Sequence, residues 1–279
     1  MFAPHLPPLS STPARLLLWA AIGALTLVAS HDSGAETLYN NGTPHYAPTN
    51  GFEMTQWIQS DDFTLPREAR VEHVTFWDLE INGNFYGTVV WEIRANSSGN
   101  TPGELLHSGE VGVNHSATGW TDGTYVEYIN SFSIPPVVLP SGTFWLALHN
   151  GPKSNSTIQR VFWAYTGQRG ARTSHKDLGP VYPGLWDSNS VVNRPSELAF
   201  HVSGVFAPRV DFRRQSSHSL IRFSTASGYS YRVEYKDSLG AGWNALPGHE
   251  VIVGDGSDIE VTDSNAFNQP RRFYRVVVL

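Results

Sequence analysis

Residues 86–94 read YGTVVWEIR, and this stretch decides the fold class. Its largest apolar side chains, Val89, Trp91 and Ile93, occupy alternate positions, and the charged side chains fall on the positions between them. Successive residues of a β-strand point to opposite faces of the sheet, so this spacing predicts a strand with one buried face. The polar run that follows it, NSSGNTPG at residues 96–103, is typical of a long turn.

The run before it, residues 71–77, alternates in the same way and precedes the turn sequence Asn82-Gly83-Asn84. Unbroken alternation would place Val71, His73, Thr75 and Trp77 on one face and Glu72, Val74 and Phe76 on the other. Further strands are expected at residues 105–113, 125–132, 142–148, 161–165 and 198–205. Strands of this length and spacing predict a jelly-roll-like β-sandwich over residues 36–207, with a long excursion at residues 166–195.

The strand pattern restarts near residue 208. Seven short strands are expected, at residues 210–213, 220–225, 229–236, 243–246, 250–253, 258–262 and 272–279. Seven strands predict an immunoglobulin-like or fibronectin type III-like sandwich over residues 208–279. A domain of about 70 residues has a small core, so we expect it to be stabilised by the first sandwich. The predicted fold class is therefore all-β, a jelly-roll-like sandwich followed by a smaller one.

Composition excludes several classes of partner and chemistry. The 279 residues carry a net charge of -6, and no basic stripe is present that could neutralise a nucleic acid. There is no cysteine, which removes disulfides, thiolate zinc sites and cysteine nucleophiles. An exported chain without disulfides favours a bacterial source.

The apolar run LLLWAAIGALTLVAS at residues 16–30 follows Arg15 and has the length of a signal-peptide core. We expect a signal peptide over residues 1–35, cleaved after Ala35 or, alternatively, after Ser30; an uncleaved N-terminal anchor is the other interpretation. No second apolar run is long enough to span a membrane. The expected location is secreted, periplasmic or on the cell surface of a bacterium, with no membrane span after cleavage.

Residues 56–205 carry a set of short motifs, namely SDDF (60–63), VTFW (74–77), VWEI (90–93), TPG (101–103), GTFWLALHN (142–150) and LAFHVSG (198–204). Through them this region resembles the β-sandwich module of bacterial exported proteins that carry exosortase-type sorting tails, the PEP-CTERM or choice-of-anchor proteins. The resemblance implies a fold and export, and it implies no activity.

Residues 231–237 (YRVEYKD), Trp243 and residues 272–276 (RFYRV) resemble the C-terminal fibronectin type III-like modules of large exported bacterial proteins. This sequence departs from the sorted family in one respect. No Pro-Glu-Pro motif with an apolar helix and a basic tail follows these modules, so we do not expect covalent sorting of that type.

Candidate catalytic residues are few. Asp78 and Glu80 lie two apart on a strand, the spacing with which jelly-roll β-glucanases present two carboxylates, but the third carboxylate of that signature is missing. We therefore expect a solvent-exposed strand end here. The eleven histidines show no zinc-hydrolase spacing, and no G-x-S-x-G elbow is present. No catalytic residue is assigned.

Aromatic side chains among turn residues are the candidate ligand-binding groups. Trp120, Tyr182 and Trp186 lie in predicted loops rich in Gly, Asp and Asn, where a ring could stack on a sugar or, alternatively, plug an open end of the sandwich. His149 and Asn150 end the predicted strand FWLALH, where the histidine either caps a turn or contacts a ligand. By contrast, Trp77, Trp91 and Trp145 lie in predicted strands and are expected in the core.

A calcium site is conceivable at Asp255, Asp258 and Asp263, which supply hard oxygen ligands near one turn. An ordinary hairpin turn explains the same residues better, so no metal and no cofactor is expected.

These observations favour a non-catalytic exported protein that binds or displays something, with a polysaccharide or cell-surface glycan as the expected partner. A polysaccharide hydrolase or lyase on a jelly-roll scaffold and a purely structural extracellular matrix protein are the two alternatives.

Overall fold

The computed structural model describes residues 35–45, 51–81, 83–166, 173–177, 185–189, 197–215, 217–266 and 271–279. Every helix or strand named within these ranges is a β-strand, so the all-β prediction is confirmed. In the same ranges no helix is long and apolar enough to cross a membrane. Tyr182 and nearly all of the expected signal peptide lie outside the described residues.

Thirteen of the strands in the described ranges precede residue 208. They are β1 (Glu36–Asn40), β2 (Gly51–Glu53), β3 (Gln59–Leu65), β4 (Ala69–Glu80), β5 (Thr88–Asn96), β6 (Pro102–Gly112), β7 (Asn114–Thr121), β8 (Val126–Leu139), β9 (Gly142–Asn150), β10 (Val161–Ala164), β11 (His175–Asp177), β12 (Trp186–Ser188) and β13 (Phe200–Phe206). They form two antiparallel sheets.

The seven-stranded sheet is built around β4. β8 and then β7 lie on one side of β4, whereas β13 with β1 and β10 with β2 lie on the other. The six-stranded sheet has the order β12-β11-β3-β9-β5-β6. Across the sandwich, β6 contacts β8, which is the neighbour of β7, and β1 contacts β3, which lies on the β12 side of the other sheet. β7 and β12 therefore lie toward opposite edges of the sandwich.

The two sheets pack face to face over one apolar core. Phe76 and Val202 contribute from the seven-stranded sheet, and Leu146 from the six-stranded sheet. Val89, Trp91 and Ile93 are all buried in this core, which confirms the inward face predicted for residues 86–94. The alternation of that stretch was sufficient to orient β5 because β5 shows no register shift before Ile93.

In β4 the expected unbroken alternation is wrong. The register with β8 shifts between Val71 and His73, and Val71, Val74 and Phe76 are all buried in the same core. A bulge inserts one unpaired residue and reverses the facing of everything beyond it. From His73 to Glu80 the register is regular, so Asp78 and Glu80 have the same facing as Phe76.

Seven strands follow residue 208 in the part of the chain that the structure describes. They are β14 (Val210–Arg214), β15 (Ser219–Ser224), β16 (Ser230–Lys236), β17 (Asn244–Ala245), β18 (Ile252–Val253), β19 (Asp258–Asp263) and β20 (Phe273–Val278). A three-stranded sheet has the order β14-β15-β19, and in a four-stranded sheet β16 pairs with β17, β18 and β20. The jelly-roll and fibronectin-like assignments stay predictions.

The second core lies between these smaller sheets. Tyr229, Tyr231 and Val233 are buried in it, as their alternation predicts. Val205 of β13 belongs to the same cluster, and residues 32–279 form one compact unit. The C-terminal strands therefore share apolar packing with the strand that precedes them.

Candidate functional site

The end of β4 presents different chemistry on its two faces. Trp77 and Leu79 point away from the sandwich core and form a separate apolar cluster with Ala164 and other residues. Asp78 and Glu80 have the opposite facing, on the inner side of the sheet beyond Phe76. The outer side carries partly exposed aromatic rings, and the inner side carries buried carboxylate oxygens without a hydrogen-bond partner.

On the outer side, three partly exposed rings cover Trp77 and Leu79: Trp120 of β7, Tyr125 before β8 and Phe162 of β10. We call these five residues the outer aromatic face. The Tyr125 and Phe162 rings meet edge to face, with centroids 5.7 Å apart and planes at 80°. Phe162 lies directly opposite Leu79 in the β10–β4 ladder. With Trp120 on β7, the face extends from β10 across β4 and β8 to β7.

The turn between β7 and β8 fixes Tyr125. Asp122 Oδ1 accepts hydrogen bonds from the backbone N–H of Thr124 at 2.9 Å and of Tyr125 at 2.8 Å. These donors lower the pKa of Asp122. Gly123 lies at the centre of the turn with a φ of 88°, a conformation that favours glycine. The Asp122 carboxylate and the turn at Gly123 together hold Tyr125 beside Phe162.

Two polar side chains flank the outer aromatic face. The His201 imidazole packs edge to face on Trp77, with ring centroids 5.0 Å apart, and Glu127 lies opposite Leu79 in the β4–β8 ladder. Within the described residues, His201 Nε2 and Glu127 Oε2 are buried atoms without a hydrogen-bond partner. Burial lowers the pKa of His201, which favours the neutral imidazole, and burial raises the pKa of Glu127. Both unpartnered atoms can take part in a hydrogen bond with a ligand.

A surface cavity of about 390 Å³ adjoins this face at His201. Its other lining residues are Asn40, Gly42, Thr43, Pro44, His45 and Thr166. Its volume lies within the range of sites that hold small organic ligands. The cavity extends the outer aromatic face with amide, hydroxyl and imidazole groups.

On the inner side, four residues form a polar centre that we call the carboxylate–histidine centre: Asp78, Glu80, His115 and Asn130. Asn130 Nδ2 donates to Asp78 Oδ1 at 2.6 Å, and Asn130 Oδ1 lies 2.7 Å from His115 Nδ1. His115 Nε2 lies 3.0 Å from Glu80 Oε1. Burial, followed by the charge of Glu80, raises the pKa of Asp78 well above its ordinary value.

Aromatic rings cover this centre. His115 is stacked between Phe85, with centroids 4.6 Å apart, and Tyr128, at 4.1 Å. Asp78 is 0% exposed and Glu80 is 1% exposed, whereas the His115 side chain is 23% exposed. The predicted solvent-exposed strand end at Asp78 and Glu80 is therefore wrong. Their inward facing continues that of Phe76 and carries them into the sandwich.

No protein-family model matches the chain, and no curated protein sequence matches it. The function of the outer aromatic face and that of the carboxylate–histidine centre are therefore inferred from their geometry alone.

The predicted ligand-binding aromatics do not share one surface. Trp120 lies on β7 and Trp186 on β12, so the prediction that each lies in a loop is wrong; edge-strand pairing overrides the turn residues around them. Trp120 belongs to the outer aromatic face, whereas Trp186 lies under the Arg94 guanidinium, 5.3 Å from its ring centroid. The two tryptophans lie toward opposite edges of the sandwich, and Tyr182 lies outside the described residues.

His149 and Asn150 lie at the end of β9 in the six-stranded sheet, and both are buried. His149 Nδ1 lies 2.9 Å from the carbonyl oxygen of Gly151, a contact of the kind that a turn-capping histidine makes. Asn150 donates to Thr55 Oγ1 at 2.9 Å and accepts from the Tyr86 N–H at 3.0 Å. Both side chains thus hold neighbouring chain segments together.

The three carboxylates of the conceivable calcium site do not converge. Asp255 accepts from Ser257 within its own turn, Asp258 pairs with Arg222 at 2.8 Å, and Asp263 pairs with Arg272 at 2.9 Å. Each carboxylate is already satisfied by a different partner, so the hairpin interpretation fits this region.

Sequence reasoning missed Tyr125, Phe162, His115 and Asn130. The first two fall in segments for which the sequence predicted a strand and no facing of the side chains. His115 and Asn130 lie 37 and 52 residues from Asp78, and only the pairing of β7 with β8 and of β8 with β4 brings them there. One signal was present: Asp78 and Glu80 continue the period-two facing of Val74 and Phe76, which marks them as inward.

Proposed function

We propose that this chain is a non-catalytic, exported binding protein that holds a carbohydrate on the outer aromatic face. The observation that carries the proposal is the set of partly exposed rings of Trp120, Tyr125 and Phe162 next to unpaired polar atoms of His201 and Glu127. The signal-peptide pattern at residues 16–30 supports export, to the periplasm, the medium or the cell surface.

A sugar suits this surface for a physical reason. The C–H face of a pyranose is apolar and packs on an aromatic ring, while its equatorial hydroxyl groups reach sideways toward donors and acceptors. Glu127 Oε2 can accept a hydroxyl proton and His201 Nε2 can take either role, which removes the cost of leaving these buried atoms unpaired. The cavity beside His201 gives room for a second sugar unit.

The proposal is tested by screening the purified protein against a glycan array and a panel of insoluble polysaccharides. We expect retention on at least one glycan, and Trp120→Ala should weaken binding by about tenfold or more because a central aromatic contact is lost. Trp186→Ala is the matched control, since that ring lies toward the opposite edge of the sandwich, and it should bind as the parent does. Retention on no glycan, or equal loss in both variants, would contradict the proposal.

A polysaccharide hydrolase or lyase that uses Asp78 and Glu80 is the rival. The ring stack of Phe85, His115 and Tyr128 covers both carboxylates, and a sugar ring could reach them only by displacing it. Reducing-sugar release by the parent protein that disappears in Asp78→Asn or Glu80→Gln would show that the chain is an enzyme and not a binding protein. Self-association measured by light scattering, with retention on no glycan, would favour a matrix protein instead.

A further inference from the structure

The carboxylate–histidine centre has the donor set of a metal site. Asp78 and Glu80 offer carboxylate oxygens and His115 an imidazole nitrogen, and these three ligand atoms all lie within 4.8 Å of one another. Two ligand atoms that each lie about 2.1 Å from one Zn²⁺ ion are separated by about 3.4 Å at the tetrahedral angle. His115 Nε2 and Glu80 Oε1 lie 3.0 Å apart, so a separation of a few tenths of an ångström more would admit the ion between them.

The hydrogen-bond network sets the tautomer of His115. The Asn130 amide donates through Nδ2 to the Asp78 carboxylate, so its Oδ1 faces His115 Nδ1 as an acceptor. His115 Nδ1 must therefore carry the proton, and in the neutral ring Nε2 presents its lone pair toward Glu80. Histidine ligands of metals are held in this way, with the second ring nitrogen donating to an oxygen.

The two carboxylates of the centre also have no permanently charged partner among the described residues. In the described part of the chain, no lysine or arginine forms an ion pair with Asp78 or Glu80, and neither Asp78 Oδ2 nor Glu80 Oε2 receives a hydrogen bond. Buried carboxylates are ordinarily paired, hydrogen-bonded or bound to a metal, because an unpaired buried charge is costly.

A second group of carboxylates, Asp61, Asp62 and Glu197, differs from this centre in its hydrogen bonds. Asp61 Oδ2 accepts from the Leu198 N–H at 2.6 Å and from Asn41 Nδ2 at 3.0 Å, and Asp61 Oδ1 accepts from the Asp62 N–H at 2.9 Å. Both carboxylate oxygens of Asp61 therefore already accept hydrogen bonds, and the donors to Oδ2 come from two other segments of the chain. Only the carboxylate–histidine centre combines unpaired oxygens with an oriented imidazole among the described residues.

We propose that Asp78, Glu80 and His115 bind one divalent transition-metal ion, with Zn²⁺ preferred. An imidazole ligand favours Zn²⁺ over Mn²⁺ and is poorly suited to Ca²⁺ or Mg²⁺. A small cation reaches the centre past the partly exposed His115, whereas a sugar does not fit beneath the ring stack. Asn130 is a positioning residue that orients His115. This inference does not depend on glycan binding.

The test uses untagged protein, dialysed against EDTA and then titrated calorimetrically with ZnCl₂, MnCl₂ and CaCl₂. We expect one Zn²⁺ per chain, weaker Mn²⁺ and no Ca²⁺ binding, with the stoichiometry checked by elemental analysis. Glu80→Gln and His115→Gln should lose the site, and Asn130→Ala should weaken Zn²⁺ binding by about 10–100-fold, as outer-shell changes do. His73→Gln is the matched control for His115→Gln, because His73 lies on β4 with Glu80 but outside the centre, and this variant should bind one Zn²⁺.

A second measurement keeps the proposal falsifiable where a variant does not fold. In long-range ¹⁵N spectra of the wild-type protein, His115 should be the Nδ1–H tautomer before Zn²⁺ is added, and its Nε2 resonance should shift on addition. Zn²⁺ binding that survives both Glu80→Gln and His115→Gln overturns the assignment. An imidazolium form of His115, with no effect of Zn²⁺ on its resonances, shows an ordinary ion pair with Glu80 and also overturns it.

Discussion

The phenol of Tyr229, the residue before β16, donates a hydrogen bond of 2.6 Å to Oε2 of Glu72 on β4. Tyr229 is buried, and Arg70 Nε lies 2.8 Å from the other oxygen of the same carboxylate. Burial and this acceptor together raise the pKa of Tyr229. The bond joins the C-terminal sheets to the seven-stranded sheet next to the bulge of β4, and Val205 adds an apolar contact at the same junction.

Tyr229→Phe should lower the free energy of unfolding by about 1–3 kcal/mol, because a buried hydrogen bond to a charged acceptor is lost. Tyr235→Phe is the control, since its ring lies under Arg272 and its loss of a hydroxyl should change stability by no more than about 0.5 kcal/mol. Urea unfolding followed by circular dichroism measures both. Equal effects of the two changes would show that the Tyr229–Glu72 bond does not stabilise the junction.

Gly204→Ala should destabilise the chain by about 1–3 kcal/mol or more, the cost of overpacking a filled interior. Gly204 lies at the register shift of β13, and a Cβ there would overlap the carbonyl oxygen of Arg70 and approach Leu38. Gly240→Ala is the matched control because a Cβ there meets no atom within 4 Å. Thermal unfolding separates the two, and a Gly204→Ala protein as stable as the control would contradict the packing described for β13 and β4.

His201→Gln should reduce the dependence of stability on pH. Burial lowers the pKa of folded His201 below its ordinary 6.5, so between these two values the unfolded chain binds a proton that the folded chain does not. The contribution of neutral His201 is complete above about pH 6.5 and is lost as the pH falls. The stability of the parent minus that of His201→Gln should therefore decrease from about pH 8 to about pH 5. Parallel stability curves would show that His201 is not buried as described.

The fold class could be predicted because β-strand burial has a period of two that is visible in one stretch of sequence. Val89, Trp91 and Ile93 of β5, and Tyr229, Tyr231 and Val233 near β16, were oriented correctly in this way. The bulge near Glu72 could not be foreseen, because it depends on how β4 pairs with β8 and leaves no local mark in the sequence.

The two faces of the candidate site were harder to predict for different reasons. Trp120 was placed in a loop because Gly119, Asp122 and Gly123 surround it, and pairing with β8 made its segment a strand instead. Asp78 and Glu80 were expected at a solvent-exposed strand end because the third carboxylate of the β-glucanase signature is missing. Their burial depends on His115 and Asn130, which reach them only through the order of strands in the sheet.

Carbohydrate binding at the outer aromatic face is tested most directly by the indole N–H signals of the tryptophans in a two-dimensional ¹H–¹⁵N spectrum, recorded while a retained oligosaccharide is added. If a glycan binds at the outer aromatic face, the Trp120 signal shifts in a saturable way, whereas the signals of Trp186 and of buried Trp91 do not shift. Shifts confined to Trp186, or no shift of any indole signal at saturating sugar, would contradict it.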